Sequence, residues 1–161
     1  MMEIRHATMC DLGAIAAVEA ECFSPETAAT YESIKARLEI FADHFWLLED
    51  GDTLVGFVNG MATDLPDLCD EMYHDAAMHD PNGAWQMIFG VDTIPSYRCR
   101  GCAETVLRRV IADTKDAGRK GLVLTCRDYL VHYYAKFGFV SEGISESGHG
   151  GVVWYQMRLT F

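Results

Sequence analysis

The chain has 161 residues, 50% of them apolar and 23% charged, with a formal net charge of −11 at pH 7. That length suits one sizeable core and falls short of two, so a single domain over residues 1–161 is expected. The acidic balance argues against a nucleic-acid partner. No apolar run is long enough to span a membrane, and the opening "MMEIRHATMC" lacks the layout of an export signal, which points to the cytoplasm.

Residues 3–8 read as a short strand. In "MCDLGAIAAVEAECF", Leu12, Ile15, Ala16 and Phe23 recur at helical spacing after the capping residue Asp11, and Glu19 shares their face. "SPETAATYESIKARLEIF" carries helix-start signals, Ser24 as N-cap and Pro25 in the first turn. "HFWLLED" and "TLVGFVNGMATD", joined by Gly51-Asp52, read as a hairpin. Residues 64–84 form a long acidic connection, a length associated with functional loops. "WQMIFGVDTI" is an apolar strand whose mid-strand Gly90 suggests a bulge or the close approach of a ligand. A helix from about Cys102 to Ala117 ends at Gly118. "GLVLTC", a short helix opened by Asp128, "GFVSEG" and "GVVWYQMRL" complete a βααββ–βαβαββ order. That order predicts a mixed α/β (α+β) fold with a mostly antiparallel central sheet.

Charge is unevenly placed. Between Tyr97 and Lys120 seven basic residues face three acidic ones in a chain that is otherwise acidic, which suits a compact anionic ligand. The segment "RCRGCA", residues 98–103, joins a strand to a helix. Backbone N–H groups and the helix dipole make such a junction an anion site. Gly101 lets a pyrophosphate approach the backbone, and Arg98 and Arg100 add charge. Neither a Walker loop nor a GxGxxG pattern is present. Of the six cysteines only Cys99 and Cys102 form a CxxC, with no second ligand pair, so no metal is expected and reduced thiols are.

Arg98-Cys99-Arg100-Gly101-Cys102-Ala103 resembles the [QR]-x-x-G-x-[GA] phosphate loop of the GNAT superfamily of acetyl-CoA-dependent N-acetyltransferases. Tyr133-Tyr134-Ala135-Lys136-Phe137-Gly138-Phe139 resembles that family's "FYxxFGF", at the matching distance. Short stretches, "ECF" (21–23), "HDPNG" (79–83) and "CRD" (126–128), are similar to the serotonin, or arylalkylamine, branch. One departure is visible: where that branch carries two histidines on the strand before the loop, this chain has Met87 and Phe89.

The resemblance implies a GNAT fold with splayed strands, acetyl-CoA as cosubstrate and transfer to a primary amine on a small molecule. It implies pantetheine contacts at Val91, Asp92 and Thr93, phosphate contacts at residues 98–103, and a further cofactor contact at Asp128. The thioester oxygen takes a backbone N–H between Phe89 and Val91. Tyr134 falls on the family's general acid, with Tyr133 the alternative one residue away. Glu21, Phe23, Pro25 and Phe89 are expected to flank the acceptor, and Arg108 and Arg109 either reach the 3′-phosphate or face water. Base candidates are Glu21, Glu26, His74, Asp75 and His79. The acidic 64–80 stretch either attracts a cationic acceptor or is simply solvated. Other outcomes are a protein N-terminus or lysine as acceptor, or a module that binds CoA without turnover. The resemblance leaves monomer and homodimer both open.

Overall fold

The computed structural model describes every residue, Met1–Phe161. Strand β1 (Met2–His6) is followed by helices α1 (Leu12–Cys22) and α2 (Tyr31–Phe41), and then by β2 (Phe45–Asp50), β3 (Thr53–Asn59) and β4 (Ala62–Thr63). A one-turn helix α3 (Glu71–His74) lies in the long acidic connection. Next come β5 (Trp85–Ile88), β6 (Gly90–Thr93), α4 (Cys102–Asp116), β7 (Gly121–Cys126), α5 (Val131–Ala135), β8 (Val140–Ile144) and β9 (Tyr155–Thr160).

Two sheets result, β1-β2-β3-β6 and β4-β5-β7-β9-β8, and only β5 and β7 pair in parallel. This is the mixed, mostly antiparallel α/β architecture expected from the order of elements. Side chains alternate across the strands, so Leu47, Met87 and Val123 pack with Leu12, Ile15, Ile34 and Phe41 from α1 and α2. Leu48, Ile88, Leu122 and Leu124 face the other way, onto Val106, Leu107 and Val110 of α4. Helices therefore cover both faces, with one core on each.

Three expected boundaries move, and each move builds part of the site. The apolar run 85–94 is two strands rather than one: β5 pairs with β7 from Trp85–Gly121 to Ile88–Leu124, after which β6 pairs with β3 instead. Past Leu124 the strand β7 keeps only β9 as a partner, so β6 and β7 part and leave a cleft. Helix α2 opens at Thr30, whose hydroxyl caps the Ser33 N–H at 3.1 Å, not at Ser24. Residues 24–29 instead run as turns across the end of α1, held by Ala29 N–H donating to Glu19 Oε2 at 2.8 Å. The last strand begins at Tyr155 rather than near Gly151, because Gly150 and Gly151 both adopt positive φ, of 67° and 69°. The segment before it folds back as a loop.

Candidate active site

Two chambers meet in the cleft between β6 and β7. The smaller, about 450 Å³, is lined by Thr93, Arg98, Cys99, Gly101, Cys102 and Ala103 on one side and by Tyr133 and Lys136 on the other. The backbone N–H groups of residues 99–104 find no acceptor in the protein. Cys99 (φ 62°) and Gly101 (φ 75°) are both left-handed, which curls these amides into a concave nest at the start of α4. A Cβ on Gly101 would meet nothing within 4 Å, so glycine is required there by backbone conformation and leaves the approach open. Unpartnered amides at a helix N-terminus beside cationic side chains fit a pyrophosphate. Arg98 is steadied by its Nε donating to Thr93 O at 3.1 Å.

The chain of β6 lies along the cleft. Ile94 N–H donates to Val55 O, and antiparallel alternation then turns Asp92 toward β3 and Val91 and Thr93 away from it. Val91 lines both chambers and Thr93 the smaller. Asp92, expected among the cofactor contacts, lines neither; its side chain is buried behind Gly90.

The larger chamber, about 650 Å³, is walled by Phe23, Tyr73, Phe89, His149 and Trp154, with Glu19, Arg37 and Asn59 also on its surface. Tyr73 stacks on His149 at 4.8 Å and tilts against Phe89 at 5.0 Å. Its hydroxyl is 3.3 Å from Thr125 Oγ1, and burial pushes its phenol up to about 12. The loop before β9 roofs this space: His149 Nε2 lies 2.9 Å from Thr27 O, and Trp154 Nε1 donates to His149 O at 2.7 Å. Asp70 holds the same loop through Ser147 and through the Gly148 N–H at 3.0 Å.

Tyr134 belongs to the wall common to both chambers, as do Cys22, Phe23, Val91 and Leu130. The residue is buried, and its hydroxyl has no protein partner yet is not sealed from the cavity. Burial holds its phenol far above the ordinary value, which keeps it protonated. Tyr133 lines only the smaller chamber, and Lys136 Nζ sits 4.6 Å from its ring centre.

Several residues picked out in the sequence lie elsewhere. Glu21 and Pro25 are exposed and line neither chamber, because Glu21 is two positions along α1 from the inward-facing Glu19. Asp128 is exposed and accepts the neighbouring Tyr129 N–H at 2.9 Å. Arg100 lies over the Tyr97 ring at 4.9 Å, outside the smaller chamber. Arg108 and Arg109 pair along α4 with Glu104 and Asp113. Of the base candidates, His74 and Glu26 line the larger chamber and Asp75 caps the Ala77 N–H. His79 lies outside both, accepting the Ala62 N–H at 3.1 Å beside His44. No group of His, Cys, Asp and Glu is placed to hold a metal ion, and no helix is long and apolar enough to cross a membrane.

Residues 12–139 match the sequence profile described as "Acetyltransferase (GNAT) family". The chain belongs to this family. As a GNAT acetyltransferase it is an acyltransferase that uses acetyl-CoA. No curated protein matches it significantly by sequence. Among solved structures it is similar to the loading GNATL domain of CurA from Lyngbya majuscula, at 17% identity with a TM-score of 0.85, covering 99% of this chain and 98% of that one. The GphF GNAT-like decarboxylase in complex with isobutyryl-CoA is 21% identical, with a TM-score of 0.81 over 98% of each chain. The PaiA N-acetyltransferase of Thermoplasma acidophilum, in complex with coenzyme A, is 16% identical, with a TM-score of 0.73 over 100% of this chain and 99% of that one. At these identities the likeness carries the fold.

Proposed function

We propose that this GNAT protein acetylates a primary amine on a small molecule, acting in the cytoplasm as one catalytic domain over residues 1–161. The observation that carries the reading is the Tyr134 hydroxyl, unpartnered at the wall between an anion-binding chamber and an aromatic one. In this reading the phosphates of acetyl-CoA rest on the amides of residues 99–104, with Arg98 beside them. Pantetheine lies along Val91 and Thr93 as an added strand, and a backbone N–H near Val91 holds the thioester oxygen. Tyr134 protonates the departing thiolate. Its raised affinity for a proton keeps it in the acid form until sulfur needs it.

The roof over the larger chamber supports a small acceptor over a protein one. His149 and Gly150 close onto residues 26–27, where a peptide would need an open groove. The rings of Phe23, Tyr73, Phe89 and Trp154 favour an acceptor with an aryl or apolar arm, in keeping with the arylalkylamine likeness.

The test is thiol release from acetyl-CoA against tryptamine, phenethylamine, polyamines, aminoglycosides and short peptides. Turnover on the arylalkylamines is expected. Acetyl-CoA binding without turnover on any amine would overturn the reading. Release of CO2 from a carboxylated acyl-CoA would instead align the chain with the chemistry named for GphF.

A further inference from the structure

Glu19 on the wall of the larger chamber has a second buried carboxyl, Asp92, behind it, and one cation, Arg37, serves both. Glu19, on α1, is 7% exposed, and Asp92, on β6, is 2% exposed. Both converge on the bare Cα of Gly90: a Cβ there would meet Asp92 Oδ1 at 3.1 Å and Glu19 Oε1 at 3.9 Å. Neither oxygen of Asp92 accepts from a protein donor, and a proton on Asp92 can bond to Glu19. Glu19 Oε2 accepts the Ala29 N–H, whereas Oε1 has no partner and remains open to the chamber. The nearby cation, Arg37 of α2, donates through Nη1 to Asn59 Oδ1 and through Nη2 to Tyr73 O, each at 3.0 Å, while its Nε has no partner and its charge acts on Asp92. Cys22 on α1 and Tyr73 on α3 are the other titratable groups close by. One cation for two buried carboxyls leaves a negative charge that is costly unless a second cation is supplied or a proton is shared.

Resting on the amine-acetylating reading above, we propose that Glu19, backed by Asp92, binds the acceptor's ammonium and takes the proton it must lose before attack. The acceptor is therefore a cation in solution. Burial, with the Glu19 carboxylate beside it, drives the Asp92 carboxyl well above the usual carboxylate range. An alkylammonium titrates near lysine, so an ordinary surface carboxylate would be a poor base for it.

The step balances as follows. R–NH3⁺ gives one N–H proton to Glu19 Oε1, and the freed lone pair forms the N–C bond to the thioester carbonyl carbon. The C–S bond breaks with its electron pair on sulfur, and Tyr134 supplies the proton that makes CoA thiol. The second proton lost by nitrogen restores the phenol, and the proton on Glu19 passes to water. Glu19 is then a catalytic residue, and Asp92 a positioning residue that acts through it.

The experiment compares wild type, Glu19→Gln and Asp92→Asn with the best amine of the panel, over pH 5 to 10. For Glu19→Gln, kcat at neutral pH is expected to fall by roughly a hundredfold or more, with Kd for acetyl-CoA held within about twofold. The rate should recover above the amine's own pKa, where the amine arrives unprotonated. For Asp92→Asn the acid limb of kcat/KM is expected to move, since the group beside Glu19 can no longer take up or share a proton. A Glu19→Gln enzyme with wild-type kcat and an unchanged acid limb would overturn the proposal. If Glu19→Gln does not fold, Asp92→Asn decides: a shifted limb upholds the pair, and an unmoved one overturns it. A wild-type enzyme inactive on every amine removes the amine reading and this proposal with it. An active wild type with a silent Glu19→Gln removes this proposal alone.

Discussion

Tyr134 makes no hydrogen bond to protein, so its hydroxyl can be removed without orphaning another polar group. Tyr134→Phe is therefore expected to leave the thermal midpoint nearly unchanged while lowering kcat by about a hundredfold. Steady-state thiol release together with a melting curve checks both halves, and a CoA-binding module without turnover would have no rate to lose. Arg98 tells a different story, because it offers charge to the smaller chamber and lies away from the wall shared with the larger. Arg98→Met should raise KM for acetyl-CoA roughly tenfold and leave kcat nearly untouched, the pattern of an interaction made equally in ground and transition states. The basic, glycine-bearing junction pointed to Arg98, and the family resemblance of residues 133–139 pointed to Tyr134. Glu19 was visible in the sequence only as a carboxylate on the apolar face of a helix, an irregularity whose meaning depends on Asp92, far along the chain.

At the scale of elements, the site is made where regular structure stops. The β5–β6 break at Phe89 frees the edge of β6, and the left-handed Cys99 and Gly101 turn the strand into α4. The loop before β9 supplies the roof. Gly150 there has φ 67°, and a Cβ would come within 2.5 Å of Thr27 Cγ2. Gly150→Ala meets both strain and crowding, which should lift the loop and raise KM for the amine more than it lowers kcat. Measuring KM for amine and for acetyl-CoA separately checks this, since the smaller chamber lies apart from the loop. Strands, hairpin and α4 were legible because apolar periodicity and turn residues mark them. The start of α2 was not: Ser24-Pro25 and Thr30 both carry start signals, and the Glu19–Ala29 bond decides between them.

Over the whole molecule, pH sets stability through groups far from the chemistry. Burial and the neighbouring His44 pull His79 from 6.5 down to about 4. The folded state then binds fewer protons than the unfolded one between those values, so stability present above pH 6.5 is lost as the pH falls toward 4. Arg5 holds Asp11, and Arg158 holds Glu142, below their ordinary values of 3.8 and 4.5, and their contribution is lost at still lower pH. The His79 contribution to the thermal midpoint should therefore be lost below about pH 6.5, against the opposite contribution of Asp92, whose raised carboxyl favours the folded state as the pH falls. In His79→Asn, whose amide oxygen can still accept the Ala62 N–H, that first limb should shrink while the acidic limb persists. Melting curves between pH 8 and 3 give the comparison.

The sequence by itself determined the fold class and the basic, glycine-bearing junction at residues 98–103, because each depends on spacing along the chain, period-2 and helical alternation and a glycine at a helix start, while the tyrosine pair at 133–134 was marked by its family resemblance. Tertiary structure alone decided which atoms face the cleft. Ladder alternation against β3 turned Val91 and Thr93 outward and Asp92 inward, and the rotation of α1 buried Glu19 and exposed Glu21. It decided the larger chamber too, whose walls come from α1, the turns at 24–29, α3, β7 and the loop at 145–154. Segments so distant meet only through packing, and packing leaves no pattern in a single stretch of sequence.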